Sequence, residues 1–169
     1  MDILYIKKVT MSDVIPESMH TLWQDLEDTY SKLVALRLEF FKPHVRRVGL
    51  IREAARYGNT NTVLYIGPIL AESERMELFP EWVYYAATGD RQVVAARAII
   101  ASLPRAWVLD RIEGVAETFL TDGTYWEYRR LLELYRELDP ALTQRLANRA
   151  IQHSDADIRE AGEDFLTHP

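Results

Sequence analysis

Cysteine is missing from all 169 residues. Its absence excludes disulfides, thiol nucleophiles and thiolate metal sites, and is compatible with a reducing cytosol. A long apolar run is missing too. The greasiest stretch, 33–41, is interrupted by Arg37 and Glu39 and is far too short to cross a bilayer. At the N-terminus Lys7 and Lys8 follow a short apolar run instead of preceding a long one, the reverse of a secretion signal. The expectation is a soluble cytoplasmic protein with no membrane partner.

Catalytic motifs are absent as well: there is no Gly-x-Ser-x-Gly, no Walker phosphate loop, no Gly-x-Gly-x-x-Gly and no His-Glu-x-x-His. The four histidines are His20, His44, His153 and His168. Glu17 and His20 have the Glu-x-x-His spacing of a di-metal half-site, but no second such pair accompanies them. Neighbouring carboxylates such as Glu27-Asp28 and Glu163-Asp164 point to different sides of a helix. These absences predict a non-enzymatic protein with no cofactor and no metal.

Net charge is −6, unevenly spread. Residues 57–169 carry eighteen acids against eleven arginines, whereas Arg37, Lys42, Arg46, Arg47, Arg52 and Arg56 form a local basic segment. An acidic surface repels phosphate backbones, which disfavours nucleic acid as a partner.

Period-two alternation is nearly absent, and only residues 3–9 read as extended. Apolar residues recur at three and four: Leu22, Leu26, Tyr30 and Leu33 lie on one stripe, which predicts a long helix from Pro16 to Phe41, stopped by Pro43. Further on, Asn59, Asp90, Asp122 and Asp155 are spaced by 31, 32 and 33 residues, each in a short polar loop suited to capping a helix N-terminus. The third position after each holds Thr62, Val93, Tyr125 and Ile158. The sixth holds Tyr65, Ala96, Tyr128 and Ala161, and the tenth Ile69, Ile100, Leu132 and Phe165. Positions 3, 6 and 10 share one helix face, so a mostly apolar face recurs. Second helices are predicted before each cap, over 43–57, 80–88, 105–120 and 140–153, three of them marked near their start by Pro80, Pro104 and Pro140. One period with four caps implies a repeated helix pair.

This pattern resembles the HEAT-like repeats, in which a helix, an Asp-containing loop and Val-Arg-x-Ala-Ala follow one another. The clearest match is Ala141 through Ile151, then Asp155-Ala156-Asp157-Ile158-Arg159-Glu160-Ala161-Gly162. A second is Asp90 followed by Val93-Val94-Ala95-Ala96-Arg97. The likeness spans 43–169 and is strongest after 80. It implies an all-α fold, a short right-handed α-solenoid with a period of about 31–33 residues, in a single domain over 1–169. Residues 1–42, with their one long helix, would be the N-terminal cap. The competing architecture is a helical bundle with regular loops.

A solenoid of this kind implies a concave surface made by the second helices. Six residues before each cap stand Glu53, Tyr84, Ala116 and Arg149, and three before stand Arg56, Ala87, Phe119 and Gln152. Glu53, Arg56, Tyr84, Arg149 and Gln152 are the candidate contact residues. Adjacent aromatics cannot all face inward, so Trp82, Tyr85 and Trp126 are candidates for exposure, and exposed tyrosine and tryptophan mark interfaces. The functional expectation is an adaptor or scaffold that binds a protein partner. One alternative is a bacterial immunity protein or antitoxin that neutralises a basic toxin. A minor alternative is a HEAT-like DNA glycosylase for alkylated bases, with Trp82, Trp107, Asp110 and Trp126 facing the lesion.

Overall fold

The computed structural model describes residues 16–89 and 92–168. The extended segment expected at 3–9 and the cap expected at Asp90 lie outside the described residues. Every regular element among them is helical, with ten α-helices and one 3-10 turn. Contacts divide the chain into residues 1–47 and 48–169. No helix among the described residues is long and apolar enough to cross a membrane.

The first unit holds α1 (Glu17–Phe40), which is entered from Pro16 as the apolar spacing predicts. It ends where the Phe41 N–H turns back to the Arg37 carbonyl at 3.1 Å, and the Arg47 guanidinium lies over the Phe41 ring at 5.3 Å.

The second unit begins with α2 (Arg47–Arg56). Gly58 closes α2 with φ +78°, a left-handed value that glycine adopts without steric cost. Then come α3 (Thr60–Ile66), the 3-10 turn Gly67–Ile69 and α4 (Glu72–Glu77). From α5 onward the helices are longer: α5 (Phe79–Thr88), α6 (Val93–Ala101), α7 (Arg105–Leu120), α8 (Tyr125–Leu138), α9 (Pro140–Ala150) and α10 (Ala156–Thr167). Helix α5 packs on α6, α7 and α8, while α8 also meets α7, α9 and α10, and α9 packs along α10.

The recurrent apolar face goes inward in the later pairs. Val93, Ala96 and Ile100 are buried, as are Tyr128 and Leu132, and Ile158, Ala161 and Phe165. The pair after Asn59 departs from this phase. Thr62 and Tyr65 are exposed, and Val63, Leu64 and Leu70 are buried instead. The cause is local: Gly67-Pro68 breaks the helix into a 3-10 turn, and the ideal Cβ position at Gly67 lies only 2.5 Å from Ile99 Cδ1 and 3.3 Å from Trp82. Trp82 itself is fully buried, and its Nε1 donates to the Arg75 carbonyl at 3.0 Å.

The caps are only partly those expected. Asp155 accepts from the Asp157 and Ile158 N–H groups at 2.8 and 3.4 Å. Asn59 stands at an N-cap position without a side-chain cap bond. Asp122 does not cap α8; Thr124 does, accepting from the Trp126 N–H while Glu127 accepts from the Thr124 N–H at 2.8 Å. Asp139 caps α9 through the Ala141 N–H at 2.8 Å, a signal that Pro140 overshadowed in the sequence.

Candidate groove between α2, α5 and α7

Three helices of the second unit contribute one wall each to a groove of about 410 Å³. Helix α2 supplies Arg52, Ala55 and Arg56; α5 supplies Pro80, Glu81, Tyr84 and an edge of the otherwise buried Tyr85; and Phe119 comes from the end of α7. Spacing places them there. On α2, residues 52 and 56 are one turn apart, and on α5 residues 80, 81 and 84 share a side.

Arg52 fixes one wall. Its Nε donates to Glu81 Oε1 at 2.6 Å and a terminal nitrogen to the Glu77 carbonyl at 3.1 Å. Glu81 Oε2 is buried without a hydrogen-bond partner among the described residues. Arg56 is exposed and meets no oxygen among the described residues, so its five N–H donors remain available at the rim. Tyr84 is 47% exposed, with its ring 5.8 Å from that of Phe119 and 5.6 Å from that of Tyr85. Burial pushes the Tyr85 phenol above its ordinary range. Glu53 shares with Arg56, Gly49 and the exposed Tyr57 an adjoining depression of about 460 Å³.

Two of the five contact candidates stand elsewhere. Arg149 is bound through both terminal nitrogens to Glu117, one of the bonds at 3.0 Å, and Gln152 is exposed beyond the end of α9. The groove therefore gathers Arg56 and Tyr84 with Glu53 beside them, and adds Arg52, Pro80, Glu81 and Phe119. Phe119 stands in the same column of the period as Arg56, three residues before its cap, and was legible on that ground.

The aromatic candidates need correction. Trp82 and Tyr85 are buried, at 0% and 4% exposure, and Tyr84 between them is the one that faces outward. Positions 82 and 85 are three apart and share the inner face of α5, whereas 84 lies across the helix. Trp126 is exposed at 61%. Trp107 is half-buried, edge-on to Phe79 at 5.1 Å, and Asp110 binds its neighbour Arg111 at 2.7 Å.

Arginine and carboxylate side chains join successive helix pairs. Arg145 binds Glu113 at 2.9 and 2.8 Å and Arg149 binds Glu117, both across 32 residues. Arg97 reaches Glu133 at 2.7 Å and Glu137 at 3.0 Å, and Arg129 reaches Asp164 at 3.1 Å. Hydrogen bonds from Arg145 and Arg149 hold the Glu113 and Glu117 carboxyls below their ordinary value. Burial pushes Glu133 up, but the hydrogen bonds and charges of Arg97 and Arg130 outweigh it and leave that carboxyl lowered too. His153 Nδ1 accepts from the Asp155 N–H at 3.0 Å. Among the described residues no three histidine, aspartate or glutamate side chains converge into a metal site. No known protein family, curated protein or solved structure matches the chain.

Proposed function

We propose that residues 48–169 are a short HEAT-like α-solenoid that acts as a cytoplasmic adaptor, holding a protein partner against the face made by α2, α5 and α7. The observation that carries this reading is the groove itself. The Arg56 guanidinium, with no oxygen partner among the described residues, stands beside the partly exposed Tyr84 ring and Phe119, and tyrosine and arginine around a shallow apolar floor are the residue types that dominate binding energy in protein interfaces.

Three features support the repeat. The inward face recurs at the same offsets in the last three pairs save at the half-buried Tyr125, the α9–α10 loop carries the Asp155 cap of the resembled pattern, and ion pairs connect residues 32 apart. Arg149 acts in this scheme as a strut between α7 and α9, because Glu117 already satisfies its fork. The groove residues Arg56 and Tyr84 are then the principal contacts, with Glu53 at the edge. For the glycosylase alternative, the burial of Trp82 removes one of the rings that would have to face a flipped base.

The test is a comparison of proteins retained from native cells by the wild-type chain and by an Arg56→Ala/Tyr84→Ala variant, quantified by mass spectrometry. A partner that is retained by wild type and depleted at least about tenfold by the variant supports the reading. Equal retention of every partner contradicts it.

A further inference from the structure

The second unit has twelve described arginines, and ten of them donate to a carboxylate or a backbone carbonyl. Arg56 and Arg136 are the two that meet no oxygen among the described residues. Arg56 belongs to the groove above. Arg136 is on a different surface, in the last turn of α8, and the residues around it share nothing with that groove.

Arg136 is held by a ring instead of an acid. Its guanidinium lies over Phe165 of α10 at 4.9 Å from the centroid. A ring contact uses none of the guanidinium's N–H donors on an oxygen, which leaves them for a planar carboxylate. The same side chain stands in the walls of two depressions, of about 310 and 550 Å³, which also share Pro140. One has an apolar floor of Ile100, Leu103, Val108 and Leu138 with Arg105 and Glu137 at its rim, the other is lined by Phe165 and Leu166 with Thr143 and Gln144. A cation with no oxygen partner among the described residues thus separates two hollows with apolar floors.

The acids nearby do not compete for it. Glu137 is engaged by Arg97 at 3.0 Å, and Asp139 by the Ala141 N–H at 2.8 Å and by Arg105 at 3.3 Å. Residues 57–169 carry eighteen acids against eleven arginines, and Arg105, the other cation at these hollows, is already bound to Asp139, so a phosphodiester chain would meet repulsion on either side of Arg136. An isolated side-chain carboxylate between apolar groups is the complement the ledge fits.

We propose that the ledge along the α8–α9 turn and α10 is a second docking surface, taking an extended segment of a protein partner in which one acidic side chain on Arg136 is flanked by apolar side chains seated in the two hollows. In an extended segment every second side chain points the same way, so the pattern it reads is apolar, any, acid, any, apolar.

The experiment is selection of a random twelve-residue peptide library on the immobilised full chain, followed by affinity measurements on Arg136→Gln and Arg56→Gln. Both arginines are exposed and without an oxygen partner among the described residues, so both variants fold; Arg56→Gln keeps its melting temperature, and Arg136→Gln gives up only the contact with Phe165, a fall of a few degrees at most. The expected result is enrichment of peptides with the apolar–acid–apolar pattern, whose binding falls about tenfold or more in Arg136→Gln and is unchanged in Arg56→Gln. Peptides without an acid, peptides whose binding depends on Arg56 alone, or no enrichment at all would overturn the proposal. None of these outcomes bears on the native partner of the Arg56 groove, which is measured separately.

Discussion

Replacing Gly114 and Gly162 by alanine, one at a time, should move stability in opposite directions although both are interior positions of α-helices. At Gly114, in α7, an added Cβ meets nothing within 4 Å. The substitution there only removes backbone freedom from the unfolded chain and should stabilise by about 0.5–1 kcal/mol. At Gly162, in α10, the same atom would lie 2.8 Å from the Ala147 carbonyl oxygen, 2.9 Å from Ala150 Cβ and 3.0 Å from Ile151 Cγ2. Two of those atoms belong to helix α9, and a backbone carbonyl cannot swing aside. Forcing a methyl into such a contact costs about 1–3 kcal/mol. Set against the same propensity gain, a middle value leaves Gly162→Ala less stable by about 1 kcal/mol, or roughly 4 °C in melting temperature for a unit of this size. Urea unfolding followed by circular dichroism measures both variants on one scale. If Gly162→Ala raised the midpoint as Gly114→Ala does, the close α9–α10 crossing derived from Ala147, Ala150 and Gly162 would be wrong.

Trp82→Ala should cost about 3–5 kcal/mol, since it empties a fully buried site and strands the Arg75 carbonyl. A variant keeping Trp82 as its one tryptophan should resist acrylamide quenching, whereas one keeping Trp126 should be quenched readily. Glu133→Gln should destabilise at neutral pH and do so less as pH falls. The folded carboxyl is lowered below 4.5, so its contribution is present above that value and is lost as pH drops through the lowered one. Urea midpoints of wild type and variant at about pH 7 and about pH 3 check this, and a gap that widens in acid would refute it. Arg149→Ala should leave partner retention unchanged, because its guanidinium is bound to Glu117; loss of the partner would restore Arg149 to the contact set.

Much of the fold was legible where one local rule decided the outcome. Pro16 and Pro104 stand just ahead of α1 and α7, and Pro140 begins α9, because a first-turn N–H has no helical acceptor to lose. The apolar offsets held in the last three pairs, save at the half-buried Tyr125, since each is an uninterrupted helix with one buried face. They failed after Asn59, where Gly67-Pro68 interrupts the helix and no period survives the break. Capping at Asp122 was misplaced by two residues: Thr124 with Glu127 three positions on is the stronger signal, as it satisfies two N–H groups reciprocally.

The site was legible in part. Arg56 and Tyr84 followed from counting along the period, but Trp82 and Tyr85 did not face outward, since a three-residue spacing puts both on the side of α5 that Leu78 and Phe79 enter. Burial of a large ring outweighs the polar tip it carries. Arg149 stands apart from the groove for a different reason. Its partner Glu117 stands 32 residues earlier, and a pairing between α7 and α9 becomes visible only once the helices are packed.

The central proposal, that a protein partner seats against Arg56 and Tyr84, is tested most directly by photo-crosslinking in native cells. A benzophenone amino acid replaces Tyr84 in one variant and Val94, 77% exposed and outside the groove, in another. The account predicts a discrete crosslinked protein at position 84 that is absent at 94 and disappears when Arg56→Ala is added. Crosslinking that is equal at the two positions, or none at 84, would contradict it.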